Sequence, residues 1–347
     1  MLERTIAEMF SYFSDNSYEE YVKQTNMEIR QKIQKRILVL DGAMGTMVQT
    51  KSLTEEAFRG ERLKKHHLPL QGLNDALVLT NPDLIKEIHQ QYLDAGADII
   101  TTNTFNANTI SLKDYGLEDY VDEINKKAVA LAKEATEAYT KENPDKPRYM
   151  AATLGPTGKT ASISPEINNP AFRDVTFDDL AAAYARQATA LIKAGADILM
   201  VETVFDTLNA KAALYAIENV LHETKSDVPV MVSVTIDESG RNLSGQTVEA
   251  FYNSLTAFPV FSIGLNCSFG PDKMLKYLQK IAAKAELAIS THPNAGLPDE
   301  NGEYNLSPDQ MAGYIKEYAE KGLINIVGGC CGSKPEHIAA IADAVKE

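Results

Sequence analysis

The stretch YLDAGADII at residues 92–100 decides the fold, because a close copy, LIKAGADIL, occupies residues 191–199. A weaker copy, YAEKGLINIV, covers residues 318–327. Each copy predicts the end of a helix, a glycine suited to the left-handed position that follows it, and a short buried strand. This is the helix-to-strand half of a β–α–β unit, so its recurrence predicts a chain built from such units.

Extending this pattern predicts eight short apolar strands separated by helical segments. They lie near residues 37–41, 98–103, 148–154, 197–202, 229–235, 261–266, 286–290 and 323–328. Short apolar runs are typical of parallel strands that are covered on both faces. Proline marks the first turn of four helices, in Asn81-Pro82-Asp83, Gly270-Pro271-Asp272, Ser307-Pro308-Asp309 and Lys334-Pro335-Glu336. Eight successive units favour a closed (β/α)8 TIM barrel, with an open doubly wound sheet as the alternative.

The domain organisation follows from where the pattern begins. We expect one barrel domain over residues 27–347, in which a helix at 28–36 leads into the first strand. Residues 1–26 form an N-terminal extension of unknown role, either flexible or helical, because they do not fit the repeat. Residues 51–72 and 155–175 are predicted to be long loops after strands, on the face where barrels of this kind carry function.

Composition limits the function classes. With 347 residues, of which 44% are apolar, the chain is long enough for a single barrel domain. The net charge of −14 disfavours nucleic acid as a partner. Apolar runs are too short to cross a bilayer and the N-terminus resembles no signal peptide. Three sparse cysteines and no export signal predict a cytoplasmic protein.

The cysteines carry the strongest functional signal. Cys330 and Cys331 are neighbours, and Cα atoms ~3.8 Å apart are too close for a relaxed disulfide. Because parallel strands of a barrel end at one mouth, both should lie on the same rim as Cys267. Three thiolates there predict a zinc site. The glycines at 328, 329 and 332 then permit the unusual backbone that two adjacent ligands require; three separate core residues are the alternative.

Ligand chemistry points to a class of reaction. Three cysteines leave one position of a tetrahedral zinc ion, for which His292 is a formal candidate; an open position implies catalysis. Zinc held by three thiolates carries net negative charge, which disfavours hydrolysis and favours alkyl transfer to a substrate thiol. A non-catalytic binding module with a structural zinc ion and a zinc hydrolase remain as alternatives.

Two acidic residues at strand ends suggest an amino-acid substrate. Asp41 and Glu202 can pair with an ammonium group, and the turn from Gly42 through Ala43 to Gly45 can offer N–H groups to a carboxylate. Asp41 could instead cap the following turn, and Glu202 could belong to an internal ion pair.

Several motifs together resemble the homocysteine S-methyltransferase family. They are LDGAMGT at 40–46, Asn74-Asp75 with Leu79, AGADIITTNTF at 95–105, GLNC at 264–267 and GGCCG at 328–332. Within that family the chain is similar to the homocysteine-binding domain of cobalamin-dependent methionine synthases. The likeness covers residues 30–347, is weakest in 51–68 and is absent in 1–26.

The resemblance implies specific roles. It implies a zinc barrel that methylates the thiol of L-homocysteine to give methionine, with Cys267, Cys330 and Cys331 as zinc ligands. Asn294 matches a position whose amide oxygen fills the fourth site before substrate arrives. Asp41 and Glu202 match contacts to the substrate ammonium group, and the turn at 42–45 matches its carboxylate cradle.

The resemblance also implies a methyl donor. This is methylcobalamin held by a separate domain or chain, so that cobalamin- and folate-binding methionine synthase modules are the expected partners. The alternative donors are betaine and S-methylmethionine. Because the eighth predicted helix spans 336–346, we expect the donor modules in a longer polypeptide or in separate chains.

Overall fold

The fold is a closed barrel of eight parallel strands, seen in a computed structural model that describes residues 15–346. The strands are β1 (Leu38–Val39), β2 (Ile99–Thr101), β3 (Tyr149–Leu154), β4 (Ile198–Val204), β5 (Val230–Val234), β6 (Ser262–Asn266), β7 (Ala288–His292) and β8 (Ile326–Val327). Each strand from β2 to β7 pairs with the next, and β8 pairs with β1. A parallel bridge between Leu40 and Ile99 closes the ring. The predicted TIM barrel is confirmed, and the open doubly wound alternative is wrong.

Helices cover the outside of the barrel and connect its strands. The helices are α1 (Asp15–Lys32), α2 (Met44–Gln49), α3 (Glu55–Arg59), α4 (Leu77–Thr80), α5 (Pro82–Asp94), α6 (Thr109–Lys113), α7 (Val121–Glu142), α8 (Phe177–Lys193), α9 (Thr207–Thr224), α10 (Val248–Leu255), α11 (Pro271–Ala282), α12 (Pro308–Glu320) and α13 (Pro335–Ala344). The four predicted proline starts are confirmed at α5, α11, α12 and α13. Gly96 and Gly195, in the two copies of the repeat, have φ of 100° and 97° as expected after a helix.

Strand limits differ from the prediction where polar residues enter the sheet. β7 begins and ends two residues later than predicted, at Ala288–His292. One of its polar residues is paired inside the barrel wall, where the Thr291 hydroxyl donates to the Leu265 carbonyl (3.2 Å). β4 continues past Glu202 to Val204, and β2 ends before Asn103, at Thr101. A pattern of apolar residues therefore finds each strand but misses ends that hydrogen bonds define.

The N-terminal helix lies across the bottom of the barrel. α1 runs from Asp15 to Lys32, so the predicted helix at 28–36 has the wrong limits and a single helix crosses the expected domain boundary at residue 26. Ile29 is fully buried in the cluster of side chains that fills the barrel interior, together with Phe261. Asn26 donates to the backbone and side chain of Asp227, both at 2.9 Å. Residues 1–14 of the predicted extension lie outside the described residues.

The two long loops predicted on the C-terminal face differ in structure. Residues 51–72 include the short helix α3 (Glu55–Arg59). Residues 155–175 contain no helix or strand and are fastened to the start of α9. There Asp206 accepts from the Ser162 hydroxyl (2.7 Å), and Asn209 donates to the Lys159 carbonyl (2.6 Å). Within residues 15–346, no helix is both long and apolar enough to span a bilayer.

Candidate metal centre and substrate site

The three cysteines meet at the C-terminal mouth of the barrel. Cys267 directly follows β6, while Cys330 and Cys331 lie between β8 and α13. Their Sγ atoms all lie within 4.8 Å of one another, and those of Cys267 and Cys331 are 3.4 Å apart. Tetrahedral zinc with Zn–S bonds of ~2.3 Å holds its sulfurs roughly 3.8 Å apart. The half-buried cysteines thus form one cluster with the dimensions of a zinc site.

The protonation of this cluster also favours a cation. Hydrogen bonds from the thiols of Cys267 and Cys330 lower the pKa of Cys331. The hydrogen bonds that Cys330 shares with the same two sulfurs raise the pKa of Cys330. Three thiolates in so small a volume repel one another, and a bound divalent metal removes that repulsion. The donor set fits a soft ion such as zinc.

The turn that carries Cys330 and Cys331 is irregular. The backbone N–H of Cys330 donates to the Pro293 carbonyl (2.8 Å), so both cysteines have left the regular β8 strand. Gly332 has φ of 79°, and a Cβ there would lie 2.2 Å from Cγ of Tyr304. Position 329 has no room for a side chain, because a Cβ there would lie 2.4 Å from Oγ of Ser333. Adjacent cysteines can therefore face the same site.

Asn294 has an unpaired buried oxygen on the loop that follows β7. Its side chain is 5% exposed and its Oδ1 has no hydrogen-bond partner. The backbone ties this loop to both cysteine segments: Asn294 N–H donates to the Phe269 carbonyl and Ala295 N–H donates to the Cys331 carbonyl, both at 2.9 Å. A buried acceptor without a donor costs about 1–3 kcal/mol, which coordination of a metal would offset.

His292 is not part of the cluster. Among the described residues, the group of metal-binding side chains contains the three cysteines and no histidine. Burial lowers the pKa of His292 to about 4, so the ring is neutral near pH 7. Its Nδ1 lies 4.0 Å from Oε2 of Glu202. The arrangement does not support a closed site of three cysteines and one histidine.

Asp41 is buried at the end of β1 with hydroxyl and amide donors as partners. Its carboxyl accepts from the backbone N–H of Thr101 (2.8 Å) and from the Thr101 hydroxyl (3.2 Å). Burial raises the pKa of Asp41 to about 7, against the opposing effect of these bonds. Among the ion pairs of the described residues, none joins Asp41 to a lysine or arginine.

Glu202 lies at a bulge in β4. The register with β5 shifts between Val201 and Val204, and Thr203 has a left-handed φ of 56°. Burial raises the pKa of Glu202 to about 8, and the charges of Asp41 and Cys331 add to this effect. Asp41 is therefore a buried carboxyl and Glu202 a largely buried one, 13% exposed, and the two are close enough to influence each other. A cationic group would stabilise both as carboxylates.

Sequence reasoning missed several residues that hold the site together. Asn266 fixes the β4 bulge, Tyr304 donates a hydrogen bond to Cys331, and hydroxyls of Thr46, Tyr92 and Ser333 link two turns at the mouth. Asn266 and Thr46 lie inside the GLNC and LDGAMGT motifs, and their place in these motifs could have identified them. No sequence pattern identifies Tyr304, Tyr92 or Ser333, because their partners are distant in the chain.

The fold and the site together define a TIM barrel with a cluster of three cysteines at its mouth that could hold a metal ion. A family model described as homocysteine S-methyltransferase matches residues 38–345, and the chain belongs to the homocysteine S-methyltransferase family. A crystal structure of the homocysteine methyltransferase MmuM from Escherichia coli, in a metallated form, is similar, with TM-score 0.69 and 25% identity. That match covers 89% of this chain and 96% of the other. The apo form of the same protein gives TM-score 0.66, 25% identity and the same coverage.

Proposed function

We propose that this chain transfers a methyl group to the thiol of L-homocysteine to give methionine, with a zinc ion held by Cys267, Cys330 and Cys331. One observation carries the proposal: three sulfurs lie within 4.8 Å of one another, and the charge of Cys331 acts on Glu202, which also interacts with the buried carboxyl of Asp41. A thiol-containing amino acid has the two groups that such a site can bind, a sulfur and an ammonium group.

The metal's role follows from its ligands. When bound, zinc with three thiolates offers a position for a fourth ligand and leaves a substrate thiolate there electron-rich, because the centre is anionic. The unpaired Oδ1 of Asn294 supports its assignment to that position when homocysteine is absent. With zinc held there, the homocysteine sulfur would take this position in place of the Asn294 oxygen and would give up its thiol proton.

The chain's own residues orient the substrate. The ammonium group pairs with Asp41 and Glu202, which lowers their raised pKa values and keeps both ionised. The substrate carboxylate lies at the turn after β1, where Gly45 belongs to the first turn of α2 and has no helical acceptor for its N–H. The N–H of Ala43 is already bonded to the Ser333 hydroxyl (3.2 Å), so Ala43 shapes this cradle through its backbone position.

The transfer itself is a displacement at carbon. The homocysteine sulfur attacks the methyl carbon, a new sulfur–carbon bond forms, and the bond between the methyl group and the donor breaks with its electrons remaining on the donor. The bound position of the sulfur aligns it with the mouth of the barrel, from which the donor must approach.

We assign methylcobalamin, held by another domain or chain with a folate-binding module, as the methyl donor. The motif resemblance supports this assignment, as do exposed apolar residues on the C-terminal face. These residues are the exposed side chains of Ile163, Ile167, Phe172, Leu243 and Leu297, in segments that follow strands, and of Leu208 in the first turn of α9. Exposed apolar groups on one face are typical of a surface that meets a macromolecule.

Methionine formation with each donor separately tests the proposal. We expect product from L-homocysteine with methylcobalamin. Product with betaine or S-methylmethionine in the absence of corrinoid would replace the donor assignment, and zinc-loaded protein that is inactive with all three would contradict methyl transfer. Cys331→Ala should lose zinc and activity while keeping its circular dichroism spectrum; normal zinc content in that variant would overturn the ligand assignment.

A further inference from the structure

Two turns at the mouth of the barrel are joined by direct hydrogen bonds. We call residues 41–46, after β1, the substrate turn, and residues 328–333, after β8, the cysteine turn. The backbone N–H of Gly329 donates to the Asp41 carbonyl (3.0 Å). The backbone N–H of Gly332 donates to Oγ1 of Thr46 (3.0 Å). The second bond leaves from the residue next to Cys331.

A buried serine hydroxyl adds a third connection. Oγ of Ser333 donates to the Cys330 carbonyl (2.6 Å) and accepts from the N–H of Ala43 (3.2 Å). Ser333 is completely buried. One hydroxyl therefore spans the distance between a metal-ligand residue and the middle of the substrate turn.

The hydroxyl of Tyr92, from α5, bridges the same two turns. It lies 3.1 Å from the Ala43 carbonyl and 3.3 Å from the Ser333 carbonyl. Burial raises the pKa of Tyr92 well above its ordinary value, so the hydroxyl keeps its proton and acts as the donor. The Tyr92 side chain is fully buried, which means that neither carbonyl can exchange this partner for water without a local rearrangement.

We propose that Thr46, Tyr92 and Ser333 are positioning residues that lock the substrate turn to the cysteine turn, so that metal binding and amino-acid recognition strengthen each other. This inference rests on the proposed function, which places the substrate carboxylate and ammonium group at the substrate turn. A metal ion held by Cys330 and Cys331 would fix the cysteine turn. The hydrogen bonds between the two turns would then fix the substrate turn before the amino acid binds. By linkage, the amino acid raises the affinity for zinc by the same factor.

The test uses L-norleucine, which has the ammonium and carboxylate groups of methionine but no sulfur. Its affinity for the whole chain is measured by calorimetry with and without zinc, so any difference cannot come from a sulfur–metal bond. In the wild-type protein we expect zinc to tighten norleucine binding at least ~5-fold. Thr46→Val and Tyr92→Phe each remove one bridging hydroxyl, and each should lower the ratio of the norleucine affinities measured with and without zinc.

Two control variants separate coupling from general stability. Thr46→Ser keeps the hydroxyl and should keep the ratio. Tyr252→Phe removes a buried tyrosine hydroxyl that accepts from the Glu286 N–H (3.1 Å) before β7, at the opposite end of the barrel, and should also keep it. Thermal denaturation identifies any variant that fails to fold. If either Thr46→Val or Tyr92→Phe fails to fold, the other variant tests the coupling.

The outcomes distinguish the two proposals. A wild-type ratio of one, ratios unchanged in both bridging variants, or no norleucine binding to the zinc-loaded protein would overturn the coupling. If homocysteine still adds a sulfur to the zinc coordination in such a case, the proposed function stands and only the coupling fails. If the protein binds no zinc, both the proposed function and the proposed coupling are wrong.

Discussion

Asn266 and Thr203 are joined by two hydrogen bonds at the mouth of the barrel. The backbone N–H of Thr203 donates to Oδ1 of Asn266 (3.0 Å), and Nδ2 of Asn266 donates to the Thr203 hydroxyl (2.8 Å). Thr203 needs this support, because a left-handed φ of 56° is costly for a β-branched residue. The fully buried Asn266 thus holds the bulge that presents Glu202 and directly precedes Cys267.

Asn266→Ala should weaken both stability and substrate binding. The change leaves the Thr203 N–H and the Ser233 hydroxyl without their acceptor, so we expect a loss of about 3 kcal/mol in the free energy of unfolding. We also expect a roughly tenfold higher KM for homocysteine, because Glu202 is no longer held. Denaturant unfolding and steady-state kinetics measure these effects.

Ser233→Ala is the matched control for that variant. It removes one bond to Asn266 (2.7 Å) but leaves Thr203 supported. It should cost about 1 kcal/mol and leave KM unchanged. Equal KM values for Asn266→Ala and Ser233→Ala would show that the bulge does not position the substrate.

Gly332→Ala should disturb the metal centre, whereas Gly302→Ala should not. Both glycines have a left-handed φ, 79° and 81°, so both changes carry a similar backbone cost of ~1–2 kcal/mol. Only at Gly332 would a Cβ collide with the Tyr304 ring; at Gly302 there is nothing within 4 Å. We expect Gly332→Ala alone to lose zinc affinity, measured against a chelator. The double variant Gly332→Ala/Tyr304→Gly also removes the Tyr304 Cβ, which would lie 2.3 Å from the added methyl group, and should regain part of the zinc affinity. No recovery would show that the collision is not the cause.

Asn294→Ala should lower zinc affinity in a way that depends on the substrate. Its Oδ1 is a buried acceptor without a donor, so its removal should not lower the free energy of unfolding of the metal-free protein. Zinc retention against a chelator should fall several-fold without homocysteine and return towards the wild-type value with it, since the substrate sulfur then fills the same position. Asn305→Ala, on the same loop, serves as a control. A defect equal in both conditions would remove Asn294 from the ligand set.

His89 should make the protein less stable in acid. It lies on α5, completely buried, with both ring nitrogens unpaired. Burial lowers the pKa of His89 to about 4, so the unfolded chain takes up a proton below pH 6.5 that the folded protein refuses. Stability from this group is therefore full above pH 6.5 and decreases as the pH falls towards 4, by up to about 3 kcal/mol.

Replacing the ring tests that assignment. His89→Met keeps an apolar side chain of similar size and should show a smaller loss of stability between pH 7 and 4.5 in denaturant unfolding. The exposed His222→Met exchange should leave the wild-type loss unchanged. An identical loss in the wild type and His89→Met would contradict the role of His89.

The sequence identified the barrel and the cysteine cluster for one physical reason. Parallel strands that end at one mouth bring Cys267 and Cys331 together whatever the details of the loops, and repeated β–α units predict such strands. The paired cysteines could be assigned to a single rim without knowledge of any side-chain contact.

Other features depend on contacts that no local pattern encodes. The bulge at Thr203 exists because Asn266, 63 positions later, supplies its hydrogen bonds. The late end of β7 depends on a hydroxyl of Thr291 reaching Leu265. α1 extends back to Asp15, well before the predicted start at 28. Contacts between residues that are distant in the sequence determine each of these features. The periodicity of apolar residues predicts only whether a segment is a helix or a strand.

X-ray absorption at the zinc edge tests the central claim most directly. Zinc-loaded protein should show three sulfur ligands and one lighter ligand, and addition of L-homocysteine should change this to four sulfur ligands with release of a proton. A zinc environment that stays the same when homocysteine is added would contradict the account.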